Sequence, residues 1–424
     1  MRLRWASVIT LSGCLGCVAE VLPPESSATG SGTTTGKHAT SASTGTTASA
    51  TSTSTSTGTS GTSTNTSTAS STTSSGTTTS TSTSASTTST GSGTTTSTTT
   101  GSSTTTGTTG ATCSPACGDN AHCEASLCVC EPGFTPGTSG CEPTPAGDPS
   151  THSQADVCQQ WTQGHVENAA QPFTPGTAQC DPGTMSPDAM DDALRRLNMF
   201  RWMIGLGPVT DDPSNDTYDQ ACAIVSADNA AGPSAHFPDP SEVCYSSAGA
   251  QGAGSSNIAW GCGSAADAMD QWVQDWGNET TLGHRRWIFN PPLDGVGIGF
   301  YSGGSGQYGS ASCLGVFGGG NPNPDPTWTA YPPPGFVPID SIYPVWSLHS
   351  DTWGIDQVQV TITQLSDGSN IPVTMQQLSG GYGTGAISWT LQGGVEAGDT
   401  YRIAVSGVTN VPDFTYDVKP VSCN

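Results

Sequence analysis

The sequence predicts an α+β protein in which helices pack on a short sheet, followed by an all-β region. Apolar residues recur at the spacing of one helix face over residues 265–276. Residues 296–300 alternate between apolar side chains and glycine, as in a half-buried strand. After Pro326 four further stretches alternate in this way and are separated by turn residues, which predicts a β-sandwich of about 100 residues.

The charge composition restricts the possible partners. The 424 residues carry a formal net charge of −24 and contain only 10 Lys and Arg. A chain with no basic patch is a poor partner for nucleic acid or for an anionic membrane surface. We interpret the acidic surface as favouring solubility.

The first residues have the pattern of a secretory signal. Arg2 and Arg4 precede a short apolar run that is too short to span a bilayer. The run ends in Leu11-Ser12-Gly13-Cys14, which resembles the lipobox of bacterial lipoproteins and implies acylation of Cys14. Cys17 is a weaker rival acceptor, and a signal cleaved elsewhere is the alternative. We therefore expect a lipoprotein signal peptide over 1–17 and a secreted protein, anchored by lipid at the outer membrane or cell surface.

The segment 18–111 is expected to be a disordered linker. From residue 26 onward it consists almost entirely of Ser, Thr, Gly and Ala. Such a composition offers too little apolar surface to offset the entropy of ordering. As a flexible coil of about 100 residues it would span ~50–60 Å, which would hold the rest of the protein away from its membrane.

Residues 112–143 contain six cysteines in a short segment. The segment includes a Cys-x-Cys pair, then Gly133-Phe134 and a last cysteine, and it resembles an EGF-like module. Such a small domain requires disulfide bonds, because its hydrophobic core is too small to stabilise the fold alone. The resemblance implies three disulfides, namely Cys113–Cys123, Cys117–Cys128 and Cys130–Cys141. The calcium-binding pattern of some members is missing before Cys113, so no calcium is assigned.

The main body is predicted over residues 150–325. Ser186-Pro187 is a good helix start, and Gly205 is a suitable stop for that helix. A second helix carries Tyr218, Cys222 and Val225 on one face. A third begins at Ser264, and its apolar stripe extends to Trp276. The β-sandwich follows over 326–424.

Seven cysteines follow the EGF-like segment: Cys158, Cys180, Cys222, Cys244, Cys262, Cys313 and Cys423. This cysteine content indicates an oxidising compartment. An odd number allows at most three bridges. We predict three, with Cys158–Cys180 as a candidate local pair, and one cysteine that remains a thiol or pairs externally.

Standard catalytic motifs are missing from the body, which contains no HExxH and no GxSxG. His236 lies in SAHFPD, and His284 lies in GHRRWIFNPPLDGVGIG. Together with SSNIAWG and LNMFRWMIGLGPV, these segments resemble the CAP superfamily of cysteine-rich secretory, antigen 5 and pathogenesis-related proteins, in its bacterial branch. The resemblance covers about 150–320 and implies an α-β-α sandwich.

The resemblance also implies a cleft with two histidines and two acidic residues. The histidines correspond to His236 and His284, and the second acid to Asp275. The position of the first acid is occupied by Ser256, ahead of Asn257. Two neutral imidazoles could hold a weakly bound zinc ion, with binding that weakens below about pH 6. The alternative is that both histidines are hydrogen-bonded cleft residues, and we favour it over catalysis.

Three charged residues near His284 need interpretation. Glu279 would compensate for the missing acid only if its loop folds inward. Arg285 and Arg286 are expected to pair with the acidic body and not to bind substrate, because phosphate recognition calls for a larger basic cluster.

Three functions follow from these features. The first is a non-enzymatic surface module that binds a small hydrophobic or peptidic ligand in the CAP cleft. The second is a metal-assisted hydrolase, a peptidase that uses His236 and His284. The third is an adhesive or envelope-structural protein that contacts other surface proteins. We favour the first, with no certain cofactor and with membrane contact through the lipid anchor alone.

Overall fold

The computed structural model describes Cys117, residues 121–124, 127–130, 134–136, 140–143, 147–320 and 326–423. The expected signal peptide, Cys14, the linker and Cys113 lie outside the described residues. Within the described ranges, no helix is both long and apolar enough to span a bilayer.

The N-terminal cysteine-rich segment forms two short hairpins. Their strands are β1 (Ala121–Glu124), β2 (Leu127–Cys130), β3 (Phe134–Pro136) and β4 (Cys141–Pro143). Disulfides join Cys117 to Cys128 and Cys130 to Cys141. These are two of the three pairs that the EGF-like resemblance implies, and the third involves Cys113.

The body contains six α-helices among the described residues: α1 (Gln154–Gly164), α2 (Pro187–Met203), α3 (Pro213–Asp228), α4 (Ser247–Ala253), α5 (Ala265–Gln274) and α6 (Gly283–Ile288). Its strands are β5 (Phe173–Thr174), β6 (Thr184–Met185), β7 (Thr210–Asp211), β8 (Ser256–Trp260), β9 (Gly295–Val296), β10 (Ile298–Ser302) and β11 (Ser310–Gly315).

Local capping explains where these helices begin and end. Ser186 caps α2 with Pro187 in its first turn, as predicted, and Gly205 follows at φ 83°. Helix α5 begins after its cap Ser264 and ends at Gln274, because Asp275 is in the left-handed conformation at φ 56°. Trp276 therefore lies outside the helix and is 61% exposed, so the predicted stripe was one turn too long.

The central sheet is antiparallel, with strand order β10-β11-β8. Its alternate residues face two separate cores, as a pleated strand requires. Ile258 and Cys313 pack with α3 and α4, whereas Ala259 and Leu314 pack with α2 and α5. The α+β prediction is confirmed, with helices on both faces of the sheet.

Glycines in β10 and just before it allow α3 to lie directly on the sheet. A Cβ at Gly299 would stand 2.2 Å from the backbone of Asp219, and one at Gly297 would stand 2.3 Å from its carboxylate. No side chain fits such a gap. Glycine is therefore required in the alternating Gly-Val-Gly-Ile-Gly run, because helix α3 lies too close to the strand for a side chain.

The C-terminal region is β-rich, as predicted. Its strands are β12 (Thr329–Tyr331), β13 (Gly335–Pro338), β14 (Val345–His349), β15 (Gln359–Gln364), β16 (Asn370–Ile371), β17 (Val373–Gln377), β18 (Ala386–Leu391), β19 (Tyr401–Ser406) and β20 (Phe414–Val421). They form sheets of order β12-β14-β18-β17 and β13-β20-β19-β15-β16. Trp346 and Trp389 of one sheet share a core with Ile403 and Val418 of the other.

Three disulfides hold the body and the β-rich region. They join Cys158 to Cys423, Cys180 to Cys244 and Cys222 to Cys313. The number agrees with the prediction, but the local pair Cys158–Cys180 is wrong, because each of these cysteines pairs with a distant one. Cys262 is a buried thiol 2.8 Å from the side-chain nitrogen of Gln271.

Candidate functional site

His284 is held by Asp275 in the interior of the body. Leu282, at φ 46°, ends the loop after α5, so that His284 falls in the first turn of α6. Its Nδ1–H donates to Asp275 Oδ1 at 2.8 Å, and both side chains are fully buried. Asp275 also accepts from the Arg285 backbone N–H and the Asn278 side chain, each at 3.2 Å. The carboxylate therefore orients the imidazole, and its lone pairs are largely used.

His236 is anchored in the same way by a backbone carbonyl. It ends a short 3-10 helix, and its Nδ1–H donates to Ala253 O at 2.7 Å. Burial, reinforced by the nearby His284, lowers the pKa of His236 to about 4. The two imidazoles are thus close enough to interact. Zinc binding was predicted to weaken below about pH 6 through protonation of the histidines. His236 does not contribute to such a loss near pH 6, because its imidazole is neutral at that pH.

Three buried acceptor atoms at this site have no hydrogen-bond partner among the described residues. They are Nε2 of His236, Nε2 of His284 and Oδ1 of Asn257. The Asn257 amide is fixed by its own N–H, which donates to His284 O at 3.0 Å. Buried acceptors without donors are costly. Each of these atoms is therefore suited to accept a hydrogen bond from a ligand or to bind a cation.

Ser256 does not belong to this group, because it faces α3 on the opposite side of β8 from Asn257. Its hydroxyl contacts the carboxyl of Asp219 and donates to Gly252 O at 2.7 Å. Since one hydroxyl carries one proton, the Asp219 contact calls for a protonated carboxyl. Burial raises the pKa of Asp219 to about 7, in agreement.

Asp219 is the acidic residue that sequence reasoning missed. It lies three positions before Cys222 on the buried face of α3, and an acidic residue there was a readable signal. It interacts with Ser256 and not with the imidazoles. Asp219 therefore does not supply the carboxylate that Ser256 replaces.

Glu279 does not supply it either. Its carboxylate accepts a hydrogen bond from the Gly277 N–H at 2.9 Å within its own loop. The loop therefore does not turn Glu279 inward, which was the condition for Glu279 to replace the missing acid. Among the residues that the structure describes, no group of three or more His, Cys, Asp or Glu side chains could hold a metal ion. Two imidazole ligands alone would leave the tetrahedral shell of zinc incomplete.

The two arginines after His284 fasten the body to the β-rich region. Arg285 donates to the carbonyls of Val273, Gln274 and Val345 and to Ser347 Oγ, at 2.6–3.2 Å. Arg286 donates to the carbonyls of Thr281, Ser379 and Thr384, at 2.7–3.0 Å. The hydrogen-bond partners of both guanidinium groups are backbone carbonyls and one hydroxyl, whereas Asp275 and Asp351 interact with them electrostatically.

The loop of residues 378–385 covers the turn that carries His284. Ser379 N–H donates to Thr280 O at 3.3 Å, and Arg286 lies over the Tyr382 ring at 5.6 Å. A Cβ at Gly383 would stand 2.3 Å from Arg286 O. The site is thereby sealed on this side by the β-rich region.

The domain has helices on both faces of a short antiparallel sheet and two anchored histidines. This layering is that of an α-β-α sandwich. Residues 194–317 match the model of the CAP family, described as the cysteine-rich secretory protein family. The match supports placing this domain in the CAP superfamily. Comparisons with curated proteins and with solved structures find no match.

Proposed function

We propose that this chain is a lipid-anchored extracellular protein whose CAP domain is a non-enzymatic module for a small hydrophobic or peptidic ligand. The observation that carries the proposal is the pair of imidazoles, each anchored through Nδ1 and each with an unpartnered Nε2. Such pre-oriented acceptors favour recognition of a donor group, since little ordering entropy remains to be lost on binding.

The burial of these groups argues for binding over turnover. His236 is 2% exposed and His284 is fully buried. A hydrolase must admit both water and a polar substrate to its base, whereas a binding site needs to admit only the donor group of its ligand. Asp275 is already engaged by three donors, so it is not a free base.

Two exposed aromatic side chains support an apolar ligand. Phe237 directly follows His236, and Trp276 directly follows Asp275; they are 62% and 61% exposed. Large aromatic groups exposed beside a polar site are typical of ligand contact surfaces. They would hold the apolar part of a ligand whose donor group reaches the imidazoles.

Solvent extraction of the purified full chain followed by mass spectrometry tests the proposal. We expect an apolar molecule to co-purify with the wild type and to be reduced at least tenfold in the Phe237→Ser, Trp276→Ser double variant. Leu365→Ser is the matched control, because Leu365 is an exposed apolar residue of the β-rich region. An equal yield from all three proteins, or none from the wild type, would contradict the proposal.

The carboxylate-imidazole pair of Asp275 and His284 favours one second candidate, a metal-assisted hydrolase. Calorimetric titration with zinc distinguishes the two. We expect weak binding, because the protein supplies two imidazoles and no carboxylate to the shell. Tight stoichiometric binding that is lost in the His236→Ala, His284→Ala variant would favour the hydrolase instead.

The anchor rests on Cys14 and its preceding Leu-Ser-Gly. The proposal places the protein at the outer membrane or cell surface of a bacterium. Metabolic labelling with a fatty-acid analogue should label the wild type and should fail in Cys14→Ser. Unchanged labelling of that variant would indicate that Cys17, and not Cys14, is acylated.

A further inference from the structure

A cavity lies where the CAP domain meets the β-rich region, and it has a volume of about 310 Å³. Pro291 and Pro292 line one side, and Trp328, His349 and Asp351 belong to the other. Threonine and serine hydroxyls complete the lining. The volume is at the lower end of the range for small-molecule sites, about 300–1,000 Å³, which suits a single ring.

His349 lines this cavity, and a hydrogen bond holds its imidazole at Nε2. Arg285 Nη1 donates to Ser347 Oγ at 3.2 Å, and Ser347 Oγ lies 2.8 Å from His349 Nε2. Because the guanidinium can only donate, the Ser347 hydroxyl keeps its own proton available for Nε2, and in that tautomer the imidazole proton lies on Nδ1. That Nδ1 is buried and has no partner among the described residues. Such a group points to an occupant.

The ring is neutral in the folded protein. Burial, reinforced by Arg285 and Arg286, lowers the pKa of His349 well below its ordinary value. Nδ1–H is therefore an uncharged donor, which is the kind of group that binds a hydroxyl or carbonyl oxygen.

The charges around the cavity balance. Asp351 is exposed, and its Oδ1 accepts from Gly385 N–H at 2.7 Å. Arg286 interacts electrostatically with Asp351 and donates to the carbonyl of Thr384, another lining residue. An opposing cation beside the carboxylate disfavours selection of either a cationic or an anionic ligand.

Trp328 supplies a flat apolar wall. Its indole stacks on Trp353 at 5.7 Å and packs against Phe414 at 5.2 Å and Tyr416 at 5.7 Å, so the orientation of the ring is fixed. It remains only partly buried. An indole held in this way offers a face to the apolar side of a ring.

We propose that this cavity binds one neutral sugar residue, with its ring against Trp328 and its hydroxyls toward His349 Nδ1–H and the Asp351 carboxylate. A sugar hydroxyl both donates and accepts, so one ligand class satisfies the imidazole donor and the carboxylate acceptor together. Its C–H face fits the indole. The site is independent of the imidazole pair in the CAP domain.

Saturation-transfer NMR on the full chain tests this site. The probes are methyl β-glucoside, methyl β-galactoside and N-acetylglucosamine, with glucosamine and glucuronate as charged counterparts. We expect transfer to at least one neutral probe and at least tenfold weaker transfer in Trp328→Ala and Asp351→Ala. Asp356→Ala is the matched control, because Asp356 is an exposed aspartate outside the cavity lining. No transfer to any neutral probe, transfer to a charged probe alone, or transfer unchanged in Trp328→Ala and Asp351→Ala, would overturn the proposal.

A pair of His349 variants tests the donor itself. Asparagine places its amide nitrogen near the position of Nδ1, whereas glutamine places its amide near Nε2. We expect His349→Asn to keep most of the binding and His349→Gln to lose at least tenfold. Equal binding by both folded variants would overturn the donor role. Where either fails to fold, the Trp328 and Asp351 variants decide.

Discussion

At the residue scale, the buried carboxyl of Asp219 makes the stability of the protein depend on pH. Its carboxyl is buried between α3 and the sheet, in contact with Ser256. Burial raises its pKa to about 7 in the folded protein, against an ordinary value of 3.8. The folded state therefore holds this proton over a pH range in which the unfolded chain has lost it. The contribution of Asp219 to stability is therefore fully present below the unfolded pKa and is lost as the pH rises through about 7.

We expect Asp219→Asn to be more stable than the wild type at pH 8, by about 2–4 kcal/mol, because one pKa unit corresponds to about 1.4 kcal/mol. At pH 4 the difference should fall below about 1 kcal/mol, since the asparagine amide donates to Ser256 as the protonated acid does. Urea unfolding of both proteins at pH 8 and pH 4 measures this difference in the free energy of unfolding. Burial also raises the pKa of Asp211 and Asp216, so a residual pH dependence in the variant is expected. A pH-independent difference would refute the assignment to Asp219.

At the scale of elements, the contact between α3 and β10 depends on glycine. We expect Gly299→Ala to destabilise the protein by roughly 3 kcal/mol, because its Cβ would stand 2.2 Å from the Asp219 backbone and the helix must move. Gly394→Ala is the control, since nothing lies within 4 Å of a Cβ there. Thermal unfolding of both variants checks this. Equal melting temperatures would mean that the helix can shift at no cost.

Elements with a strong local pattern could be predicted from the sequence, and the site only in part. The cap at Ser186 and the alternation at Val360 and Ile362 are local, so they were found. Strand β14 was missed, although Trp346 and Leu348 alternate with Ser347 and His349. Its polar residues are buried as well, so the alternation does not separate a buried face from an exposed one. The contact of His284 with Asp275 joins residues nine apart through three positions with positive φ, which no local pattern predicts, so only the family resemblance indicated that the two residues share a site.

At the scale of the whole molecule, Arg285 couples the body to the β-rich region. It is fully buried and donates to carbonyls on both sides of the junction. We expect Arg285→Lys to lower stability by roughly 3 kcal/mol, because an ammonium cannot reach this set of acceptors and leaves several unpaired. Calorimetry should then resolve two transitions where the wild type shows one.

Arg402→Lys is the control for this coupling. Arg402 forms a surface pair with Asp417 at 2.8 Å and is about half exposed. Exposed pairs contribute ~0–1 kcal/mol, so this variant should melt like the wild type. Two transitions in both variants, or one in both, would show that Arg285 does not couple the regions.

The disulfide between Cys158 and Cys423 closes a loop across both regions, with a sequence separation of 265. We expect the Cys158→Ser, Cys423→Ser variant to lose about 3–5 kcal/mol, because long loops restrict the unfolded chain most. Denaturant unfolding under non-reducing conditions measures the loss. The Cys222→Ser, Cys313→Ser variant, with a separation of 91, should lose slightly less on entropy alone.

The same disulfide determines what a protease can release. Any single backbone cut between Cys158 and Cys423 opens a ring and leaves both fragments covalently joined. A cut in the Ser/Thr-rich segment before Cys117, in contrast, would free the whole assembly. Limited digestion should therefore give one band without reductant and several with it. On an exposed cell surface such a protein would be shed as an intact unit or would survive nicked, and its CAP domain would not be lost alone.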